Sequence, residues 1–172
     1  MAGIIKVNQY QDFNGNSIMT SDGSGNLTTQ NIVRPAFRAS QNANQAIPTG
    51  AYTKITMDVE QKDTNNAYDT SLSRFTIPSG YAGQYFFSAQ IRISGLGDQD
   101  IPQLLIYKNG ALDNNARVIA TMGVADNWSD NVTYTMECSE GEYFEVYGYH
   151  NYGSNRDTSA SFCNFQGFRI GS

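Results

Sequence analysis

The segment that most constrains the fold runs from Ala67 to Ile93. Its second half alternates, with apolar side chains on one side and polar ones, apart from Phe86, on the other: Tyr85, Phe87, Ala89, Ile91 and Ile93 against Gln84, Ser88, Gln90 and Arg92. Such alternation indicates a half-buried β-strand, because successive side chains of a strand point to opposite faces. Arg74 to Ile77 is a shorter strand, which Pro78 ends because proline cannot donate to a β-ladder. The segment predicts the centre of an antiparallel sheet.

The rest of the chain repeats this pattern in short pieces. Further strands are predicted around Ala36 to Ala39, Tyr52 to Val59, Ile101 to Lys108, Ala116 to Met122, Val132 to Cys138, Tyr143 to Tyr149 and Phe162 to Ile170. The polar segments between them predict loops at residues 41–50, 61–66, 94–100, 123–130 and 151–158. About eight to ten short strands without a convincing helix are typical of an all-β, antiparallel double-sheet jelly roll.

Composition agrees with this fold class and excludes several functions. The 172 residues include 16 Gly, 11 Tyr and 9 Phe, which favours strands joined by turns. Eleven basic residues against 16 acidic ones give a net charge of −5, and no dense run of Lys or Arg predicts a nucleic-acid partner. There is no signal peptide of the Sec type and no apolar run of about 18 residues, so we expect a soluble protein without membrane insertion, made in a cytoplasm.

Three motifs in the central segment carry a resemblance. Tyr68-Asp69, Phe75-Thr76-Ile77-Pro78 and Gly83-Gln84-Tyr85-Phe86-Phe87 follow one another as in the globular head of complement component 1q, which belongs with the tumour-necrosis-factor-like jelly rolls. Downstream, residues 105–110, 140–146 and 161–168 resemble later strands of that family in the same order. The resemblance covers roughly residues 34 to 170. It implies a homotrimer in which one sheet of each protomer packs around a threefold axis.

Four aromatic residues are candidates for that axis. Phe86, Tyr107, Tyr147 and Tyr149 all fall on strand faces opposite the inferred core. That is more apolar surface than a soluble monomer usually shows. We therefore predict that some of these four residues line the trimer interface. The sequence leaves open which sheet faces the axis.

Residues 1–33 differ from the rest of the chain and are predicted to form a separate segment before a head at residues 34–172. Turn signals at Asn14-Gly15 and Asp22-Gly23-Ser24-Gly25 predict an extended β-hairpin tether, whose strands are too short and polar to bury a core. Ile5-Lys6-Val7, Gln11-Asp12, Gly15-Asn16 and Thr20-Ser21-Asp22-Gly23-Ser24-Gly25-Asn26-Leu27 follow one another in an order that resembles the opening of structural proteins of tailed bacteriophages. The resemblance implies an anchor to the virion, with these apolar residues making the contacts: Ile4, Ile5, Val7, Tyr10, Phe13, Ile18 and Leu27.

The residues that carry catalytic chemistry are sparse. His150 is the only histidine, and at a strand end before a polar loop it is expected to be a surface or partly packed side chain. No phosphate-binding loop, zinc-ligand spacing or nucleophile elbow is present, so no catalytic residue, no metal ligand set and no enzyme activity are predicted. Paired carboxylates remain open as an alternative. Cys138 and Cys163 are expected to be buried and reduced, although the sequence does not give their separation.

The predicted loops supply a second set of candidates. Asp63, Asp98, Asp100, Asp126, Trp128 and Asp130 are placed in apical loops that could bind a host surface glycan or protein. Some members of the resembled family hold calcium near the trimer apex, and Asp98 with Asp100 and Asp126 with Asp130 are the pairs for such a cation. Solvated turn acids are the simpler expectation, so no cofactor is predicted and calcium is the alternative.

Together these features predict a trimeric bacteriophage virion protein located on the virion surface. A capsid decoration, cement or head-fibre role is favoured over a tail-fibre or spike knob because the chain has no long repetitive shaft. Its partners would be the major capsid protein or other virion proteins, encountered after synthesis in the host bacterial cytoplasm. A free lectin-like binding module is the alternative from another class.

Overall fold

The computed structural model describes residues 7–29 and 34–171. The chain divides into two compact units, Met1–Val33 and Arg34–Ser172. Within the described residues, helical structure is limited to one 3-10 turn, Ala160–Phe162, and no helix has the length and apolar character needed to cross a bilayer.

The first unit is a three-stranded antiparallel meander. Its strands are β1 (Gln9–Gln11), β2 (Ser17–Ser21) and β3 (Leu27–Thr29), and β2 lies in the middle. Tyr10 pairs with Met19 across the first hairpin, and Thr20 pairs with Thr28 across the second. None of the side chains described in this unit is buried.

Both hairpin turns of this unit are stabilised by the same pattern of hydrogen bonds to an aspartate side chain. The Asp12 carboxylate accepts hydrogen bonds from the backbone N–H groups of Asn14 and Asn16 and from the Asn16 side-chain amide, all at 2.9 Å. Asp22 repeats this pattern with residues 24 and 26 at 2.6–3.1 Å. These hydrogen bonds, led by those from the asparagine side chains, lower the pKa of both carboxyl groups. The turns are therefore self-contained, because each satisfies its own polar groups.

The second unit consists of strands β4 to β16. They are β4 (Ala36–Ser40), β5 (Ala46–Ile47), β6 (Thr53–Lys54), β7 (Val59–Asp63), β8 (Tyr68–Asp69), β9 (Arg74–Thr76), β10 (Gly83–Leu96), β11 (Gln103–Lys108), β12 (Ala111–Ile119), β13 (Asp126–Cys138), β14 (Tyr143–Tyr149), β15 (Arg156–Asp157) and β16 (Asn164–Gly171). A five-stranded sheet has the order β13-β10-β16-β4-β7. A six-stranded sheet has the order β12-β11-β14-β9-β8, with β6 also paired to β14. Every pairing in both sheets is antiparallel, so the predicted double-sheet jelly roll is confirmed.

The core lies between the two sheets and is built around aromatic rings. The predicted alternation in β10 is correct, because Tyr85, Phe87, Ala89, Ile91 and Ile93 are all fully buried. Phe37 of the five-stranded sheet stacks on Phe75 of the six-stranded sheet with ring centroids 4.2 Å apart, and Phe87 meets Phe144 at 4.3 Å. The long strand β10 and the facing strands β9 and β14 thus interdigitate across the core.

One glycine makes this aromatic packing possible. A Cβ atom on Gly167 would lie 2.6 Å from Phe87 Cδ1 and 2.9 Å from both Phe37 Cε1 and the carbonyl oxygen of Phe86. Real Cβ atoms do not approach neighbours so closely. Residue 167 therefore has to be glycine for β16 to pass beneath the two phenylalanine rings.

The predicted strand from Tyr52 to Val59 is the main departure from expectation. Thr53–Lys54 joins the six-stranded sheet, whereas Val59–Asp63 joins the five-stranded sheet. Between them the chain crosses the edge of the sandwich, and Ile55 and Met57 point into the core. The alternation correctly placed Ile55 and Met57 on one face, but Val59, predicted on that same face, is exposed. The pattern could not show that the chain changes sheets. Part of the predicted loop at residues 61–66 accordingly belongs to β7.

Candidate functional site

The outer face of the five-stranded sheet carries an exposed apolar group, which we call the Phe86 patch: Ala36, Phe86, Phe168 and Ile170. Phe86 pairs in register with Phe168, which pairs with Ala36 on the next strand. The two phenylalanine rings lie 5.3 Å apart, and Phe168 remains 48% exposed. Ile170 follows two residues later in β16, at the register shift between Gln84 and Tyr85, and is also exposed. The patch is thus contiguous across three strands.

Beyond the Phe86 patch, the centre of the same face is polar but uncharged. Ser88 pairs with Gln166 and with Thr133 on the two flanking strands, and Gln90 pairs with Asn164. Several of these groups bond to one another, as between Asn164 Nδ2 and Gln90 Oε1 at 3.3 Å. Charged side chains surround this centre: Arg38, which pairs with Gln166 on one side and Lys62 on the other, Glu137, which pairs with Gln84, and Arg92 at the far end of β10, whose guanidinium covers the Phe162 ring. Removing an uncharged surface from water costs less free energy than removing a charged one.

The outer face of the six-stranded sheet carries a different group, which we call the tyrosine face: Tyr52, Tyr107, Tyr143, Tyr147 and Tyr149. Tyr107 and Tyr147 are stacked with centroids 3.8 Å apart, and Tyr52 and Tyr149 lie 4.9 Å apart. Leu105, in register with Tyr147, points to this outer face and is nevertheless fully buried. The tyrosine rings therefore pack down onto the sheet, and burial raises the pKa of Tyr107 and of Tyr147.

A buried carboxylate anchors one side of the tyrosine face. The Glu145 side chain is 3% exposed, and its Oε1 atom accepts hydrogen bonds from Arg74 Nε at 3.0 Å and Arg74 Nη2 at 2.8 Å. Lys54 Nζ approaches the same oxygen at 3.4 Å. The Arg74 guanidinium also lies 3.7 Å from the centroid of the Tyr143 ring. The face is therefore held in place by an ionic network as well as by ring contacts.

The four residues predicted for the trimer interface do not share a surface. Phe86 lies on the outer face of the five-stranded sheet, and Tyr107, Tyr147 and Tyr149 lie on the outer face of the six-stranded sheet. One threefold axis passing along one sheet cannot use both groups. Phe168 was not among the predicted interface residues. The outward position of Phe168 could have been predicted, because it lies three residues after Phe165 in the closing strand and the two side chains therefore point to opposite faces.

Three predicted loops meet at one end of the jelly roll, beyond the end of β10. The Asp100 carboxylate accepts the Gly97 N–H at 2.5 Å, and the Ile101 N–H donates to Asn151 Oδ1 at 2.6 Å. Gln99 N–H donates to the Met122 carbonyl at 2.8 Å. Asp98 is exposed in this loop, and Asp126 begins β13 beside it. The loops at residues 97–102, 120–126 and 151–152 therefore form one connected surface.

The remaining apical-loop predictions need correction. Trp128 is a core residue, 7% exposed and paired with Ile93, because β13 begins at Asp126 rather than after residue 130. Asp130 accordingly lies within a strand. Asp63 ends β7 at the opposite end of the sandwich, where its carboxylate accepts the N–H groups of Asn65 and Tyr68. The parity of Trp128 with Val132 was the signal that the strand begins earlier than predicted.

The part of the chain that the structure describes contains no cluster of metal-ligating side chains. No group of three or more acidic, histidine or cysteine side chains is placed there to hold an ion. Calcium binding at Asp98, Asp100, Asp126 or Asp130 stays a prediction of the resemblance.

The residues predicted to anchor the first unit are exposed wherever the structure describes their side chains. Val7, Tyr10 and Ile18 are about half exposed, and Phe13, at the tip of the first hairpin, is wholly exposed. Leu27 begins β3, and Ile4 and Ile5 lie outside the described residues.

His150 and the two cysteines belong to the interior of the jelly roll. His150 is fully buried, contrary to the surface position expected, and its Nε2–H donates to the Ile47 carbonyl at 2.9 Å. Cys138 and Cys163 are buried free thiols. Cys138 pairs with Gly83 at the start of β10, whereas Cys163 precedes Asn164, which pairs with Gln90. Several residues of β10 therefore separate the thiols, so they do not form a disulfide within one chain.

Comparison with solved structures gives the fold. The globular domain of zebrafish complement 1qA aligns with 80% of this chain and 98% of its own at 16% identity and a TM-score of 0.55. Murine APRIL aligns with 80% of this chain and 99% of its own at 9% identity and a TM-score of 0.59, and Eiger TNF from S. frugiperda aligns with 81% and 94% at 9% identity and 0.56. No protein-family model and no curated protein matches the sequence. The chain thus has the complement 1q and tumour-necrosis-factor-like jelly-roll fold.

Proposed function

We propose that this chain is a homotrimeric structural protein of a bacteriophage virion, of the capsid decoration, cement or head-fibre type. In this proposal the first unit attaches to the particle, through the major capsid protein or another virion protein. The jelly roll projects outward from the virion surface. Assembly follows synthesis in the host bacterial cytoplasm.

The observation that carries this proposal is the first unit itself. It is a sheet of three strands of three to five residues, and none of its described side chains is buried. It nevertheless displays Tyr10, Phe13 and Ile18 to solvent. A small sheet with no core gains stability when another surface covers its apolar side chains. Residues 1–33 resemble the openings of bacteriophage structural proteins, so the surface that covers these side chains is proposed to be that of the virion.

The trimer is proposed to form through the five-stranded sheet. The Phe86 patch offers exposed apolar area, and the nearest side chains of the next row, Ser88, Thr133 and Gln166, are uncharged, as the centre of a protein interface usually is. Arg38 and Lys62 extend that row toward the sheet edge. On the six-stranded sheet a charged group lies at the middle strand, because Arg74 and Lys54 bond to Glu145 of β14, and burying this group against another protomer would incur a desolvation cost. Cyclic symmetry would also give each trimer three identical attachment segments, which multiplies a weak single contact.

Attachment is tested by binding the purified protein to particles that lack it. We expect deletion of residues 1–33 to abolish co-sedimentation with particles while the jelly roll remains trimeric. Phe13→Ser should weaken co-sedimentation in the full chain, and Leu72→Ser, which removes an exposed apolar side chain from the jelly roll, serves as the control. Attachment that survives the deletion would overturn the proposal.

Copy number decides the location on the particle. Quantitative mass spectrometry of purified particles should find this chain in numbers comparable with the major capsid protein. Numbers comparable with tail proteins would instead indicate a receptor-binding knob that recognises a host glycan or protein through the loops beyond β10. If this chain is absent from particles, the virion proposal is wrong and the free lectin-like module remains as the alternative.

A further inference from the structure

The tyrosine face has no role in the trimer proposed above, since that trimer forms through the opposite sheet. We propose that the tyrosine face binds an oligosaccharide that carries carboxylate groups. This inference rests on the proposed position of the trimer axis, which leaves the six-stranded sheet free, but it does not depend on attachment to a virion.

The first argument is the shape and order of the aromatic surface. Tyr107 on β11 stacks on Tyr147 of the neighbouring β14, and Tyr149, also on β14, lies against Tyr52, which immediately precedes β6. Aromatic faces with a negative quadrupole attract the C–H groups on the flat side of a pyranose ring, and the tyrosine hydroxyls remain at the edge for hydrogen bonds. A row of such rings along two strands suits a chain of sugars better than a single small molecule.

The second argument is preorganisation. The Gln103 side chain is nearly buried, and its Oε1 accepts the Tyr52 hydroxyl at 3.1 Å. Glu145 is buried beneath Arg74 and next to Tyr147, whose hydroxyl lies 3.4 Å from Oε2. Because these contacts already fix the rings and polar groups, a ligand would lose little affinity in ordering them.

The third argument is charge, which selects an acidic saccharide. In a chain with a net charge of −5, this face carries three cations, Lys54, Arg74 and Arg117, against two carboxylates, the buried Glu145 and Asp69, which pairs in register with Arg74. Arg74 donates only two of its five N–H groups to Glu145, so it retains donors for a ligand carboxylate. The excess positive charge would attract acidic chains and would weaken with added salt.

Other occupants fit the face less well. A protein partner would have to desolvate the three cations at the centre of its interface. Nucleic acid would meet an acidic protein that lacks a basic stripe. A hydrated sugar chain covers the rings from one side and leaves the charged groups in contact with water.

The test is isothermal titration calorimetry of the full chain with hexagalacturonate and tetrasialic acid as acidic probes and maltohexaose as the neutral one. We expect saturable binding of at least one acidic probe and at least tenfold weaker binding of maltohexaose. Tyr107→Leu should weaken the binding about tenfold, since one aromatic contact contributes roughly 1 kcal/mol. Arg117→Gln should weaken it severalfold and reduce its salt dependence.

The controls are a tyrosine and a lysine elsewhere on the jelly roll. Tyr81→Leu and Lys62→Gln should leave binding within twofold of the parent protein. Tyr107→Phe keeps the ring and should retain most of the affinity, and thermal unfolding of each variant excludes a folding defect.

No saturable binding of either acidic probe would overturn the proposal, as would equal losses in the test and control variants. If Tyr107→Leu dissociates the trimer, the face is a subunit interface and the proposal is wrong. Particle attachment is measured separately, so the two proposals can fail independently.

Discussion

Phe168→Ser is the substitution that most directly tests the proposed trimer interface. The Phe168 side chain is 48% exposed in the single chain. A phenylalanine can bury on the order of 200 Å², so about half of that, roughly 100 Å², is left for a neighbouring protomer to cover. At about 25 cal/mol per Å² of apolar surface, this is roughly 2.5 kcal/mol for each protomer and about 7 kcal/mol for a trimer. The trimer dissociation constant should therefore rise by about five orders of magnitude.

Sedimentation velocity across a dilution series measures this change. The parent protein should remain trimeric at micromolar concentration, and the Phe168→Ser variant should sediment as a folded monomer with an unchanged circular dichroism spectrum. Leu72→Ser, which removes a similarly exposed apolar side chain from another part of the jelly roll, should remain trimeric. A trimer that Phe168→Ser leaves intact would refute the assignment of the axis to the five-stranded sheet. A parent protein that is monomeric at these concentrations would refute the trimer itself.

Four further predictions concern the stability and chemistry of the two units. Gly167→Ala should lower the free energy of unfolding in urea by about 3 kcal/mol or prevent folding, because its Cβ would overlap two phenylalanine rings. Glu145→Gln should cost about 2 kcal/mol in the same assay, less than for a fully buried pair because Arg74 and Lys54 are partly exposed. Cys138 should resist iodoacetamide in the native protein at mildly alkaline pH and react after unfolding, as followed by mass spectrometry, because burial raises its pKa to about 12. The lowered pKa of Asp12 means that its carboxylate stabilises the folded turn at neutral pH and that this contribution is lost as the pH falls through the folded-state value, so the Asn16 amide resonance should titrate with a midpoint below the ordinary aspartate pKa.

The sequence predicted the layered fold because its strongest signals were local. The alternation from Tyr85 to Ile93 correctly identified a core strand, since period-two burial is visible in a single strand. The turn between Pro78 and Gly83 likewise follows from the conformations available to proline and glycine. Phe86 and Tyr107 were also correctly predicted to lie on strand faces that point away from the core. What the sequence could not show is that their strands belong to different sheets.

The missed features depend on contacts between distant segments. The crossover after Lys54 is set by pairing with β14, about ninety residues away, and no local pattern encodes that partner. The buried position of His150 depends on β5, about a hundred residues earlier, where the Ile47 carbonyl accepts its Nε2–H and Ile47 pairs with Arg156 of β15. The distribution of charge over the tyrosine face likewise appears only when Arg74, Arg117 and Glu145 are placed on neighbouring strands.

The matched turns at Asp12–Asn16 and Asp22–Asn26 make the first unit modular. The two aspartates are ten residues apart, and each turn satisfies its own hydrogen bonds without help from the rest of the chain. A ten-residue insertion that copies this pattern would add one strand and reverse the direction in which the chain leaves the sheet. Inserting two copies would restore that direction and lengthen the meander. Viable natural or designed variants of this segment are therefore expected to differ by an even number of repeats.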